Sequence, residues 1–425
     1  MTEDKNFDMI KFIEKLHKKN RALVSDEYVE SLDFINSIIP LKYHKYKTGE
    51  KVWTWKIPKK WVFKNAHVID GETGNKIVDT KDNLLHVHIN SSPVDKQVSK
   101  EELMKHLCYR EDLPDAVPYC CKYYREDWGF SVRYDDLDKF KSDKYLIKID
   151  SKLIDGEMVI GEHTVKGTSN ETIIIPIHLD HPWQCNDNLS GCAVAIKLIF
   201  KLQKTPNLRY NYKFLFIPET IGSVAYLAKN ENLLSSLKYG IVFDSVGNKA
   251  PLKLTTTKDS VNMLNDYAKY ALREVDEKYE TLDFFDDEHL ISANDERILQ
   301  STNIDIPSIA LSRSPFEEYH TDKDSLDIID EKMLNQTIDV VYNLMSIIDR
   351  DFKPKQKYKG TLCLSECDLW DAKWTAKDGV VIQKILQMLD GKLSVFEISE
   401  KINKPFDFVY DFVSKLKEKE LVKEN

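Results

Sequence analysis

The sequence predicts an α/β sandwich with a β-rich unit and a helical C-terminal unit, on three observations. Short, nearly unbroken apolar runs recur at "TIIIPIH" (172–178), "YKFLFIP" (212–218) and "YGIVFDSV" (239–246), each followed by a helical pattern. Such strands need cover on both faces, and the alternating helices supply it. Before these runs, from about residue 50 to 155, the pattern changes to aromatic-rich β-type stretches broken by turn residues. After a charged linker, "KPKQKYKG", the last 65 or so residues return to helical spacing.

Taken in order, "FDMIKFIEKLHK" and "SDEYVESLDFINSII" space their apolar residues by three and four, as amphipathic helices do. "EKVWTWKIP", "WVFKNAHVID" and "LLHVHIN" read as strands, and "GETGNK" as a hairpin turn. "SKEELMKHL" is a helical stretch inside this region, and "LPDAVPYCCKYYREDWGF" is a Pro-rich loop crowded with rings. There Tyr123, Tyr124, Arg125 and Trp128 read as a contact surface, with apolar core the plainer fate of some rings. "EKMLNQTIDVVYNLMSIID" is a long amphipathic helix stopped by Pro354. "GVVIQKILQMLDG", "SVFEISEKI" and "PFDFVYDFVSKLKEKELV" are three terminal helices.

Composition excludes several classes. The 425 residues are 42% apolar with a net charge of −9, so the whole chain is not a polycation for nucleic acid. No apolar stretch approaches the ~20 residues a membrane span needs, and the acidic, amphipathic N-terminus lacks the form of a secretory signal. Seven cysteines at scattered spacings read as reduced thiols. A cytoplasmic protein is the expectation.

The chemistry collects at strand ends, where open α/β sheets place their ligands. His178 and Asp180 are two apart at the end of the first run, so on a strand they share a face. That spacing lets Asp180 accept the second ring N–H of a metal-bound His178. Asp187 follows in "NDNLSG", Glu219 closes the second run, Asp244 closes the third, and His320 lies in "FEEYHTDKD". Singly each has a plainer reading: a helix cap for Asp187, a salt-bridge partner for Glu219, a solvated loop for "EEYH". Together these types suit Zn²⁺, which takes N and O ligands near 2.0–2.2 Å.

The order H-x-D, D-N-x-S-G, Glu, "FDSVG", "YHT" resembles the co-catalytic zinc aminopeptidases, related to glutaminyl cyclases and glutamate carboxypeptidases. The resemblance implies an aminopeptidase-type α/β/α sandwich with a mixed sheet. It implies that His178 and Asp244 bind one zinc, Asp187 bridges to a second, His320 binds that second ion, and Glu219 is the general base. Where the family has a second Glu ligand this chain has Thr220, which weakens the second position and leaves Glu318 as a candidate replacement. His181 is an unusual addition that binds metal, binds substrate or packs on Pro182.

"PVDK", "VPYCCKYYREDWGF", "PETIGSVAYL", "NDERIL" and "EEYHT" narrow the resemblance to bacterial aminopeptidase-like proteins described alongside polysaccharide biosynthesis. That group implies a discontinuous catalytic domain (1–55 and 156–352), an inserted β-rich lid (56–155) and a C-terminal winged helix (360–425). The expected substrate is a small peptide or an aminoacyl or glycan-linked compound, contacted by Tyr123, Tyr124, Arg125, Trp128, His181, Arg297 and Glu318. For Arg297 a structural salt bridge is an equal reading.

The rival expectation is a catalytically weakened binding or regulatory protein on the same scaffold. DNA binding is disfavoured. The last helix opens Pro405-Phe406-Asp407-Phe408, its lysines Lys415, Lys417 and Lys419 fall at the far end, and residues 376–425 hold nine Lys against nine acidic residues. The winged helix is therefore expected to meet protein or a second copy of the chain, and no membrane.

Overall fold

The central sheet has eight strands: β1 (Lys42–Lys47), β2 (Glu157–Val165), β3 (Thr172–His178), β4 (Asn211–Ile217), β5 (Leu237–Asp244), β6 (Lys253–Thr255), β7 (Glu280–Leu282) and β8 (Ser308–Ser312). This is a computed structural model, and it describes residues 7–425 apart from 276, 277, 372 and 374. The strand order is β1-β2-β4-β3-β5-β8-β6-β7. Its centre, β4-β3-β5-β8, is parallel, while β2 runs antiparallel to β4 and to β1, and β6 runs antiparallel to β8. The sheet is mixed, as the resemblance to the aminopeptidases implies.

The central strands are apolar on both sides because both sides are covered. Every residue of β3 is buried, Pro176 and His178 included. Ile174, Leu215, Ile217 and Val242 pack with Val224 and Leu227 of the helix Ile221–Lys229 and with Leu299 of the helix Asp295–Leu299. The helix Gly191–Lys204 packs on β3 and is itself packed by Met9–His17, whose buried Met9, Phe12, Ile13 and Leu16 form its apolar stripe. Register then sets the site. His178 pairs with Ile217, so Glu219 emerges just past the same sheet edge, and Asp244 ends β5 opposite Ser312.

Residues 60–154 supply a second sheet of four antiparallel strands, Lys60–Asp70, Lys76–Asp79, Lys144–Ile154 and Val94–Ser99. Its core holds Trp61, Val68, Leu103, Phe130, Tyr145 and Ile147. Two short parallel strands, Leu107–Cys108 and Phe130–Ser131, pair beside it. All of this lies within one compact unit, Met1–Tyr342.

The second unit, Asn343–Asn425, contains the helices Ala376–Gln387, Val395–Ile402 and Phe406–Glu418 and a ribbon pairing Pro354–Gln356 with Val422–Glu424. Two of the helices begin with reciprocal caps, Thr375 with Asp378 and Ser394 with Glu397; each such cap contributes roughly 1 kcal/mol. Phe406, Val409, Phe412, Val413 and Leu416 form the buried stripe of the last helix, which leaves Asp407 and Phe408 outside. Asp407 pairs with Arg350 at 2.7 Å. Among the described residues no helix is long and apolar enough to cross a membrane.

Candidate metal centre and active site

Every polar residue of "NDNLSG" is used to hold the loop that carries Asp187. Asn186 Oδ1 accepts from Gly247 N–H at 2.7 Å, and Asn188 Oδ1 accepts from Ser245 N–H at 3.2 Å while its Nδ2 donates to the Phe243 carbonyl at 3.1 Å. Ser190 Oγ accepts from Val246 N–H at 3.0 Å. The loop is thus stitched to the end of β5, which brings Asp187 to Asp244. Gly191 is required because a Cβ there would meet Asn188 Oδ1 at 2.3 Å. From below, Asp324 accepts from the backbone N–H groups of Cys185, Asn186 and Asp187 at 3.1, 2.6 and 3.0 Å.

The strand-end loop after β3 is gripped by Arg21, which is fully buried. Its guanidinium donates to the carbonyls of Leu179 (2.8 Å), His181 (2.6 Å), Gln184 (3.0 Å) and His17 (3.0 Å). The grip lets His181 adopt a positive φ of 67° and turn back into the cleft. Thr220, Ser245 and His320 also have positive φ, at 62°, 52° and 53°. Such backbone is unfavourable for residues other than glycine and clusters at functional sites.

The result is a convergence of imidazoles and carboxylates. His178 Nε2 lies 2.7 Å from Asp187 Oδ1 and 3.8 Å from Asp244 Oδ1. His181 Nδ1 lies 3.0 Å from the same Asp187 oxygen, and its Nε2 lies 3.2 Å from Glu219 Oε2. His320 Nε2 approaches the other Asp187 oxygen at 3.0 Å. Yet His181 Nδ1, Asp187 Oδ2 and His320 Nε2 have no hydrogen-bond partner: they are close, but off the line a hydrogen bond requires. His178, His181 and Asp187 present ligand atoms all within 4.8 Å of one another, in a fully buried position.

Electrostatics point the same way. Burial works against the charge of His178, but the charge of Asp244 and the hydrogen bond that the imidazole donates to Asp187 override it and raise the imidazole to about 10. Burial, reinforced by the charge of Asp187, pushes Asp244 up to about 7. Glu219 is also disfavoured by burial, but the hydrogen bond and charge of His181 hold it below the usual carboxylate range. Three carboxylates crowd three imidazoles in a partly to fully buried cluster, and unpaired buried charge costs several kcal/mol per ion. A divalent cation resolves both the charge and the unpartnered atoms, so the residues present fit one.

Asp180 differs from the sequence expectation. The His178 Nδ1 position is taken by the Asn294 side chain at 3.2 Å, while Asp180 Oδ1 accepts the Glu219 backbone N–H at 2.9 Å. Asp180 therefore orients Glu219 rather than His178. Trp128 is a second difference: it is 8% exposed, stacks on His106 at 3.7 Å and belongs to the core of the four-stranded sheet. Arg297 is exposed on its helix. Glu318 is half-buried, and its carbonyl accepts from Thr321. Neither joins the cluster.

Tyr123, Tyr124 and Arg125 line a cavity of ≈ 320 Å³ with Lys56, Lys59 and Asn90, and the Tyr124 hydroxyl donates to the Lys56 carbonyl. A different cavity, of ≈ 290 Å³, opens at the centre itself, between Asp244 and Asn294 on one side and Phe316 and Tyr319 on the other, with Lys253 and Glu296 in its wall. Tyr119 went unread in the sequence. Its ring stands 5.2 Å from that of His181 and 5.3 Å from that of His320, and its N–H donates to the His320 carbonyl.

Fold and site together define a peptidase-fold protein of the aminopeptidase-like kind. The chain belongs to the DUF4910 family, a domain of unknown function, whose profile matches residues 10–351. It is 36% identical over 321 residues (75% of this chain, 72% of the relative) to a Clostridium acetobutylicum protein whose name couples polysaccharide biosynthesis with an aminopeptidase-like domain. It is similar to a crystal structure of a C. acetobutylicum chain described as a "putative peptidase", with TM-score 0.87, 31% identity and coverage of 98% of this chain and 96% of that one. A zinc aminopeptidase from Bacillus subtilis shares the fold at TM-score 0.57 and 15% identity, covering 81% of this chain and 95% of that one.

Proposed function

We propose that the chain is a metal-dependent, aminopeptidase-like hydrolase of peptide or aminoacyl amide bonds. The observation that carries this is the set of unpartnered, converging atoms on His181, Asp187 and His320 beside His178 and Asp244. His178, His181, Asp187 and Asp244 would hold a zinc ion. His320 and the second Asp187 oxygen offer a weaker second position, because Thr220 supplies a neutral hydroxyl where a carboxylate would serve better. The ion, when bound, supplies Lewis acidity to the scissile carbonyl and to the attacking water.

The chain's own residues do the rest. Glu219, ionised and fixed through its backbone N–H by Asp180, accepts the proton of the attacking water and returns it to the departing amine. Burial of the centre excludes bulk water and strengthens each charge interaction. The cavity at Asp244 and Phe316 receives the substrate residue on the acyl side of the bond. The three-helix unit is read as a winged helix that meets protein or a second copy of the chain, without nucleic acid.

Aminoacyl-anilide hydrolysis with added Zn²⁺, Mn²⁺ or Co²⁺ tests the proposal. Glu219→Gln should retain metal and lose about 10²–10⁴-fold in turnover. Unchanged turnover in that variant would remove Glu219 from its role. The second reading, a binding or regulatory protein on this scaffold, is favoured chiefly by Thr220, with the C-terminal helical unit read as a winged helix adding to it. Under it, wild type and Glu219→Gln would both bind metal and both be inert towards every amide tried.

A further inference from the structure

We propose that His88, Cys108 and Cys120 form a second metal site, distinct from the active site, that takes a soft divalent ion such as Zn²⁺ through two thiolates and one imidazole. Their ligand atoms lie within 4.8 Å of one another. The elements that assemble them are the strand Leu107–Cys108, the loop after Pro118, and the segment around residue 88, bridged at Val87↔Phe130 and Ile89↔Cys121. Cys120 Sγ approaches Cys108 Sγ at 2.6 Å, and all the cysteines are free thiols.

His88 is the independent observation. It is 6% exposed, and neither ring nitrogen makes a hydrogen bond of normal geometry. A buried imidazole with both nitrogens unsatisfied bears the desolvation penalty of each group unless a partner is supplied. Its placement is enforced rather than incidental. A Cβ on Gly129 would lie 2.1 Å from His88 Nδ1, so the ring fits only against glycine backbone. A thiol pair beside an unsatisfied imidazole is the ligand chemistry of zinc, with bonds of about 2.3 Å to sulfur and about 2.0 Å to nitrogen. Spanning two such bonds needs the sulfurs to part by about 1 Å, which a two-residue strand and a loop can provide. Each thiol gives its proton to solvent as the ion binds, so loading releases about two protons per site.

The site reaches the active centre through the chain. Cys120 directly follows Tyr119, which donates to the His320 carbonyl and faces His181. An ion here pins that segment over the cleft, which makes it a positioning device rather than a catalytic one.

Cobalt loading of the full-length protein tests the site, because the centre at His178, Asp187 and Asp244 contains no sulfur ligand. A near-ultraviolet thiolate-to-cobalt charge-transfer band is expected in wild type and in Asp187→Asn. It should be lost in Cys108→Ser and in Cys120→Ser, and weakened in His88→Ala. Should those variants fail to fold, titration of wild-type thiols keeps the test open: two thiols should be shielded by Zn²⁺ and freed by a chelator. A missing band with no thiol shielded overturns the proposal. So does a protein lighter by two hydrogens whose thiols return only on reduction, the mark of a disulfide made by a peroxide-class oxidant. Either failure leaves the amide-hydrolysis reading untouched, since the anilide assay reports on the other centre.

Discussion

At the scale of single residues, His178, Asp187, Glu219, Asp244 and His320 were legible in the sequence because type and place coincide: each lies at or just beyond a predicted strand end or in a short acidic loop. The structure brings all five together. His181 remained open there because its direction depends on a φ of 67°, which neighbouring letters do not encode. Asn294 and Tyr119 were illegible, since an amide and a ring carry no periodicity that points to a distant histidine. Trp128 was misread because a polar stretch of sequence concealed a ring packed into a sheet core. Removing His181 with Ala should weaken the tighter zinc by more than about 10-fold, the scale on which even supporting groups act. Calorimetric titration against a competing chelator reads this out, and unaltered affinity would return His181 to substrate contact alone.

At the scale of elements, the loops matter more than the strands. The apolar runs predict β3, β4 and β5 correctly, but the grip on the loop after β3 comes from Arg21, 158 positions before the Leu179 carbonyl it holds. The buried guanidinium donates to five carbonyls, those of Leu16, His17, Leu179, His181 and Gln184, and each loses a charged donor when it is removed. Arg21→Met should cost on the order of 3 kcal/mol or more in denaturant unfolding and loosen metal binding as well. Arg21→Lys should restore little, because an ammonium cannot reproduce the planar fork. A stable Arg21→Met protein with normal metal affinity would show that the Asn186, Asn188 and Ser190 stitches suffice.

At the scale of the whole molecule, the layered α/β plan and the second sheet were legible from apolar runs and turn residues. The outer strands were not: β6 and β7 are three residues long, too short to leave a pattern, and "KYHKYK" of β1 reads as polar because it lies at the sheet's edge. Buried acids make the metal-free fold sensitive to pH. Burial raises Asp295 to about 8 and Glu296 to about 7, and Asp324 likewise to about 8. In the unfolded chain these groups ionise near ~4, so the fold holds their protons more tightly and loses stability progressively as pH rises from ~4 until they ionise in the fold near 7 and 8. His178, raised to about 10, adds a contribution that is complete below ~6.5 and lost as pH climbs through its folded value. The melting temperature of metal-free protein should therefore fall from about pH 6 to about pH 9, and Glu296→Gln should flatten the slope. A melting temperature that rises over this interval would mean that these carboxyls are ionised in the fold.

The most direct measurement is anomalous diffraction at the zinc edge from crystals of the full-length protein grown with Zn²⁺. A peak within bonding distance of His178, Asp187 and at least one of His181 and Asp244 is expected, about 2.0–2.2 Å from each ligand atom, with a weaker peak or none at His320. Full zinc occupancy elsewhere and no density among these residues would contradict the assignment of this cluster as the metal centre.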